Sequence, residues 1–187
     1  MSSAKEISAS GMALRTALTL FAFVIIFTGL LSGAYVWTKP AIEASAAEEK
    51  MKLVNEVLPS SEYDNALLED KIVLPATKEL GLDESSTVYR ARKNGEPVAL
   101  IFEAVAPDGY AGKIKLVLAI RANGLVAGVR VTQHKETPGL GDYIELKKDK
   151  NKAQPWITQF QGMSLAAVSD REWKVKKEGG RIEYHAG

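Results

Sequence analysis

The sequence predicts an α+β protein: an N-terminal transmembrane helix, then an antiparallel-sheet domain with flanking helices. Three observations point there. Residues 16 to 38 form an uncharged apolar run, strand-like segments meet in pairs at Asn-Gly, and apolar residues recur at helical spacing after Pro40. The 187 residues suffice for one compact domain plus one extra element. Hydrophobic content of 46% with 25% charged residues is that of a globular chain, neither disordered nor collagenous. A net charge of +1, with Lys and Arg scattered, argues against nucleic-acid binding. The absence of cysteine excludes disulfides, thiolate metal sites and a cysteine nucleophile.

A short tail over 1–15 precedes the apolar run. At about 1.5 Å rise per residue, 16–38 spans roughly 34 Å, enough for a hydrocarbon core of about 30 Å with some tilt. Tyr35 and Trp37 stand at its far end, where amphipathic rings favour the headgroup region. Ala44-Ser45-Ala46 resembles a signal-peptide cleavage site, but the apolar run exceeds the roughly 7–15 residues of a signal peptide, which favours a retained anchor. Lys5 and Arg15 before the run and Lys39, Lys50 and Lys52 after it leave the orientation open.

Pro40 suits a helix start, and 40–58 read as a helix or stalk that Pro59 stops. Residues 59–187 are expected to form the domain proper, with an irregular, polar stretch from 59 to 85. Thr87–Lys93 and Pro97–Ala106 flank Asn94-Gly95, a two-residue hairpin signal, and Lys113–Arg121 and Leu125–Gln133 flank a second at Asn123-Gly124. Ile114, Leu116, Leu118 and Ile120 alternate, which implies one buried face, and Gly128 marks a bulge or a close contact. Tyr143–Lys152 suits a charged surface helix, with Asp142 and Asp149 on its solvated side. Trp156 and Trp173 are read as core anchors. Glu172–Lys177 and Arg181–Tyr184 flank Gly179-Gly180 as a third hairpin.

The most informative stretch is His134-Lys135-Glu136-Thr137-Pro138-Gly139-Leu140-Gly141-Asp142. Pro138 fixes its φ, while Gly139 and Gly141 permit positive φ and close approach to the backbone. Two readings are open: an ordinary β-turn, or a loop that wraps a flat ligand, with N–H groups at the ligand's edge and Leu140 on its face. Pro107-Asp108-Gly109-Tyr110-Ala111-Gly112 makes a second glycine-bearing loop, a wider turn between the two hairpins. Glu136 is placed to fix the loop or stands as a solvated carboxylate. His134 reads as a surface residue, with proton uptake near neutral pH as its alternative. No His/Asp/Ser constellation or acid/base pair supports a hydrolase.

Together the apolar run, Asp108-Gly109-Tyr110-Ala111-Gly112 and Glu136-Thr137-Pro138-Gly139-Leu140-Gly141-Asp142 resemble the flavin mononucleotide (FMN)-binding RnfG family (also RsxG) of the Rnf ion-translocating electron transport complex. The NqrC component of the sodium-translocating NADH:quinone reductase is related through the Thr-Pro-Gly-Leu-Gly loop. The resemblance implies an FMN-binding antiparallel-sheet domain, with Thr137, Gly139, Leu140 and Gly141, and Tyr110 and Gly112 in the second loop, contacting the flavin. It also implies a single-pass protein of the bacterial inner membrane with its domain in the periplasm. That protein would work with other subunits of a membrane complex and relay electrons of a ferredoxin/NAD type couple to drive ion transport, as a carrier rather than a stand-alone catalyst. In the family FMN is joined through its phosphate to a threonine in a Ser/Thr-Gly-Ala-Thr-x-Thr type motif after the last hairpin. No residue of this sequence matches that threonine, and Ala186-Gly187 align with only the first two positions. The domain is thus expected to be C-terminally incomplete and not to carry covalent FMN as written. The alternative function is a non-redox, membrane-tethered binding or scaffold module.

Overall fold

The structure, a computed structural model, describes residues 9–166 and 168–183. Residues 1–8 of the expected N-terminal tail, the end of the expected last strand at Tyr184, and His185, Ala186 and Gly187 lie outside the described residues. The chain divides into two compact units, residues 1–48 and 49–187.

Helix α1 (Ala9–Val57) provides all the described structure of the first unit. Its most apolar 18-residue window has a mean hydropathy of 2.2 with nothing buried, and it is long and apolar enough to cross a membrane. The hydroxyls of Thr16, Thr19 and Thr38 donate to the carbonyls of Met12, Arg15 and Ala34 at 3.0, 2.8 and 2.8 Å. Bonded back onto the helix in this way, they need no water. The sequence places a helix start at Pro40, whereas α1 carries Pro40 in its interior. A proline there removes one N–H and crowds the carbonyl four residues back. The Ala- and Glu-rich stretch from 41 to 49 has the helix propensity to continue past it.

The second unit is built on five strands, β1 (Lys71–Leu74), β2 (Ser86–Lys93), β3 (Glu96–Ala106), β4 (Ile114–Arg121) and β5 (Val126–Gln133). They form an antiparallel sheet in sequence order, each strand beside its predecessor. The fold class is therefore the α+β one that the alternation and turns predict. Asn94 (φ 53°) and Gly95 (φ 84°) both occupy the left-handed region, as a type I′ hairpin requires. Asn123-Gly124 differs: only Gly124 has positive φ, and Arg121 N–H donates to Leu125 O at 2.9 Å across a three-residue loop. Asn123 uses its side chain instead, accepting from Leu125 N–H at 3.1 Å.

Both faces of the sheet are covered. One packs against the last turns of α1, where Val54, Val57 and Leu58 meet Ala91, Ala99, Ile101, Val117, Ala119 and Ala127. On the other face Leu116, Leu118 and Ile120 are half-buried beneath Ile157, Trp156 and Phe160 of the 3-10 turn Trp156–Phe160. The alternating residues of β4 thus line the looser face. Their neighbours Val117 and Ala119 lie in the tighter one, which is under the helix.

Three further expectations are corrected. The stretch 59–85 contains β1, and charge ties it down: Asp70 bonds Arg90 and Arg92, and Glu62 meets Arg121 through two bonds of 2.9 and 2.7 Å. Tyr143–Lys152 is not a helix. A 3-10 turn covers Asp142–Ile144, after which the buried Asp149 carboxylate accepts the N–H groups of Asn151 and Trp156. Such capture competes with helical bonding, and Asp149 is a buried turn former rather than part of a solvated face. At Gly179-Gly180 no hairpin forms. Val175 and Ile182 make an isolated parallel bridge around the 3-10 turn Lys176–Glu178. Gly180 is required there, because a Cβ would stand 1.8 Å from Lys174 O.

A tight seam in the core lies where Gly128 meets the end of α1. A Cβ at this position would come within 2.5 Å of Val57 O and 2.8 Å of Val57 Cα, both backbone atoms. Of the two alternatives expected at Gly128 the close contact is the one found: Gly128 pairs with Ala119, and the register shift beside it leaves out Ala127. Gly128→Ala should destabilise the second unit by roughly 1–3 kcal/mol or more through forced separation of helix and sheet. Urea unfolding followed by tryptophan fluorescence checks this; an unchanged midpoint would contradict the seam.

Candidate functional site

The sheet delivers the two glycine loops to the same end. β3 stops at Ala106 and β4 starts at Ile114, so 107–113 turn over at that edge, and β5 ends at Gln133 beside Lys115. Beyond this last pair Glu136 continues the connection: its Oε1 accepts from Ala111 N–H at 3.1 Å. Gly109 packs so tightly that a Cβ would lie 2.2 Å from Gly112 O and 2.8 Å from a side-chain carbon of Ile114.

The Thr137–Gly141 turn is internally bonded. Thr137 O accepts from Leu140 N–H and Gly141 N–H at 3.1 and 2.9 Å, and Gly139 N–H donates to Asp142 Oδ1 at 2.8 Å. Gly139 has φ 78° behind Pro138, the position at which a type II turn needs glycine. The N–H groups that the sequence offers to a ligand are therefore already used within the loop. What the loops present outward is side chain: Tyr110 is 96% and Leu140 56% exposed, and Thr137 is exposed as well. Nothing lies within 4 Å of a Cβ built on Gly112 or Gly139, so the backbone there is open to approach.

His134 is not a surface residue. Its side chain is only 6% exposed, Nδ1 accepts from Glu136 N–H at 3.0 Å, and Nε2 lies 2.6 Å from Glu145 Oε1. Since Nδ1 is an acceptor, the ring proton resides on Nε2 and points at Glu145. Burial would raise the Glu145 carboxyl, but bonds from Lys148 and His134 outweigh it and hold the group below its usual 4.5. The loop-fixing alternative for Glu136 is the one the structure shows, whereas Asp142 and Glu145 are structural partners that no sequence pattern singled out by role.

On the sheet face away from α1 lies an apolar cavity of about 360 Å³, bordered by Leu116, Val129, Val131, Trp156, Phe160 and Trp173. Trp156 stacks edge-on with Tyr143 and Phe160 and donates its indole N–H to Glu183 O. Trp173 Nε1 is buried without a hydrogen-bond partner among the described residues. Both tryptophans are half-buried liners of this cavity.

Two outcomes follow from the loop geometry. Gly139→Ala, which meets no clash but must hold φ near +78°, should cost about 1 kcal/mol, measured by urea denaturation. Glu145, held below its unfolded value, contributes stability present above about pH 4.5 and lost as pH falls through its folded value. The gap between wild-type and Glu145→Gln unfolding midpoints should therefore be widest near neutrality and close in acid; a gap that widens below pH 4 would contradict this.

Comparison with known proteins adds to the geometry. Residues 109–175, which include Gly109–Gly112 and the Thr137–Gly141 turn, match the model of the FMN-binding domain, and residues 5–57 match that of the RnfG N-terminal region. The G subunit of the ion-translocating oxidoreductase complex from Pseudomonas aeruginosa is 42% identical over 93% of this chain and 79% of its own length. Proteins of the same name from Shewanella loihica and Escherichia coli are each 41% identical, over 88% and 91% of this chain and 76% and 79% of theirs. With an FMN-binding domain laid over two adjoining glycine loops, this chain belongs to the RnfG family, the G subunits of ion-translocating oxidoreductase complexes.

Proposed function

We propose that the protein is a membrane-anchored electron carrier in which 16–38 form the anchor and 59–187 present FMN to partner subunits. Thr137, Gly139, Leu140 and Gly141, with Tyr110 and Gly112, are assigned to hold the flavin. Bound FMN supplies one- and two-electron transfer, the chemistry that amino-acid side chains lack. The protein's own residues position it. Tyr110 and Leu140 offer apolar surface for the ring face, Thr137 a hydroxyl for a polar edge, and Gly112 and Gly139 leave room for close approach. The electrons belong to a ferredoxin/NAD type couple whose transfer drives ion transport, and the domain lies on the periplasmic side of a bacterial inner membrane.

The observation that carries this reading is the convergence of two loops, 25 residues apart at Ala111 and Glu136, within the stretch matching the FMN-binding domain. Full-length protein in detergent micelles, titrated with FMN, should quench flavin fluorescence saturably. Tyr110→Ala and Leu140→Asp should each weaken that binding by about tenfold, as loss of a stacked or apolar contact worth ~1.4 kcal/mol would do. Folded protein that shows no saturable quenching would overturn the carrier function. Undiminished binding by both variants would move the site elsewhere.

A further inference from the structure

The spacing of the two loops is set by one side chain. The β4–β5 ladder ends at Lys115↔Gln133, and beyond it the chain paths are free to diverge. Glu136 spans the gap, its Oε1 accepting the Ala111 N–H. Its own backbone is pinned from behind, since Glu136 N–H donates to His134 Nδ1. The imidazole is in turn fixed by Glu145, which Lys148 also bonds at 2.7 Å. The fit is close on the loop's other side as well: a Cβ on Gly141 would lie 3.0 Å from both Cβ and Oε2 of Glu136. Gly141 is thus the residue that leaves Glu136 its place.

We infer that Glu136 is a positioning residue for the flavin, bracing the 108–112 turn against the 137–141 turn and itself aimed by the His134–Glu145 pair. This rests on the flavin reading above. The brace acts through geometry: Ala111 supplies an N–H, so any acceptor of the same reach satisfies it, and the negative charge is not what Ala111 requires. Tyr110 and Leu140 sit next to the two anchored segments, so losing the bond lets the exposed ring and the exposed leucine drift apart. A flat ligand that needs both would then lose its preorganised contacts.

Glu136→Gln and Glu136→Ala separate these effects, read in full-length protein in micelles by two measurements. Amide hydrogen exchange at Ala111 should accelerate roughly threefold to tenfold in Glu136→Ala and stay near wild type in Glu136→Gln. FMN binding, followed by fluorescence quenching, should weaken about tenfold in Glu136→Ala and be rescued to within about threefold by Glu136→Gln. His134→Ala should shift both readouts in the same direction, and combined with Glu136→Ala should add little, because one brace is lost only once. Wild-type FMN binding that Glu136→Ala leaves intact would overturn the positioning role alone. Glutamine failing to rescue binding while Ala111 stays protected would overturn it in favour of a charge effect. Wild-type protein that binds no FMN would overturn the flavin reading and this inference with it, even if Ala111 exchange responded as expected.

Discussion

The second unit depends on a place where nothing but hydrogen fits: Gly128 beneath the carbonyl of Val57. Because β5 lets α1 come this close, Val54, Val57 and Leu58 reach Ala91, Ala99 and Ala119, small residues that would otherwise leave a hollow under the helix. Small side chains on the sheet and branched ones on the helix are two halves of one packing solution. The charged partners follow from it. Arg130 lies on the same strand and is 9% exposed, with Glu56 of the docked helix 3.3 Å from it. Burial lowers the Arg130 pKa while Glu56 opposes the shift, so the helix that buries the guanidinium also supplies its counter-charge.

The sequence reveals elements whose cause is local. Asn94-Gly95 forms its turn because both residues tolerate positive φ, and the β2–β3 hairpin follows from that pair alone. Asn123-Gly124 carries the same letters, yet a three-residue loop forms because Arg121 pairs with Leu125 rather than with a nearer partner. Distant partners decide the rest. β1 is only four residues long and is secured by Asp70 reaching Arg90 and Arg92, some twenty residues on. The helix expected over 143–152 loses to a carboxylate, Asp149, whose burial no periodicity announces.

The candidate site divides in the same way. That a proline between a threonine and a glycine would make a tight, exposed turn is legible, and so is the glycine-rich character of 108–112. That the turn would consume its own N–H groups is not, because the acceptor for Gly139 N–H is the Asp142 side chain, set by the 3-10 turn Asp142–Ile144 that no periodicity announces. Nor does the sequence show that a histidine with no patterned neighbours is sealed between two glutamates. The result is a pair of loops that expose side chains while the main chain of the Thr137–Gly141 turn is tied up in its own hydrogen bonds.

The order of the strands carries a consequence for how the unit is made. Every strand lies beside its immediate predecessor, so each can zip onto a partner already synthesised, and no segment waits for one still to come. The exception is the end of α1, which precedes all five strands yet packs against residues of β2, β3, β4 and β5. The seat of Val54 and Val57 is therefore complete only when the last strand is in place.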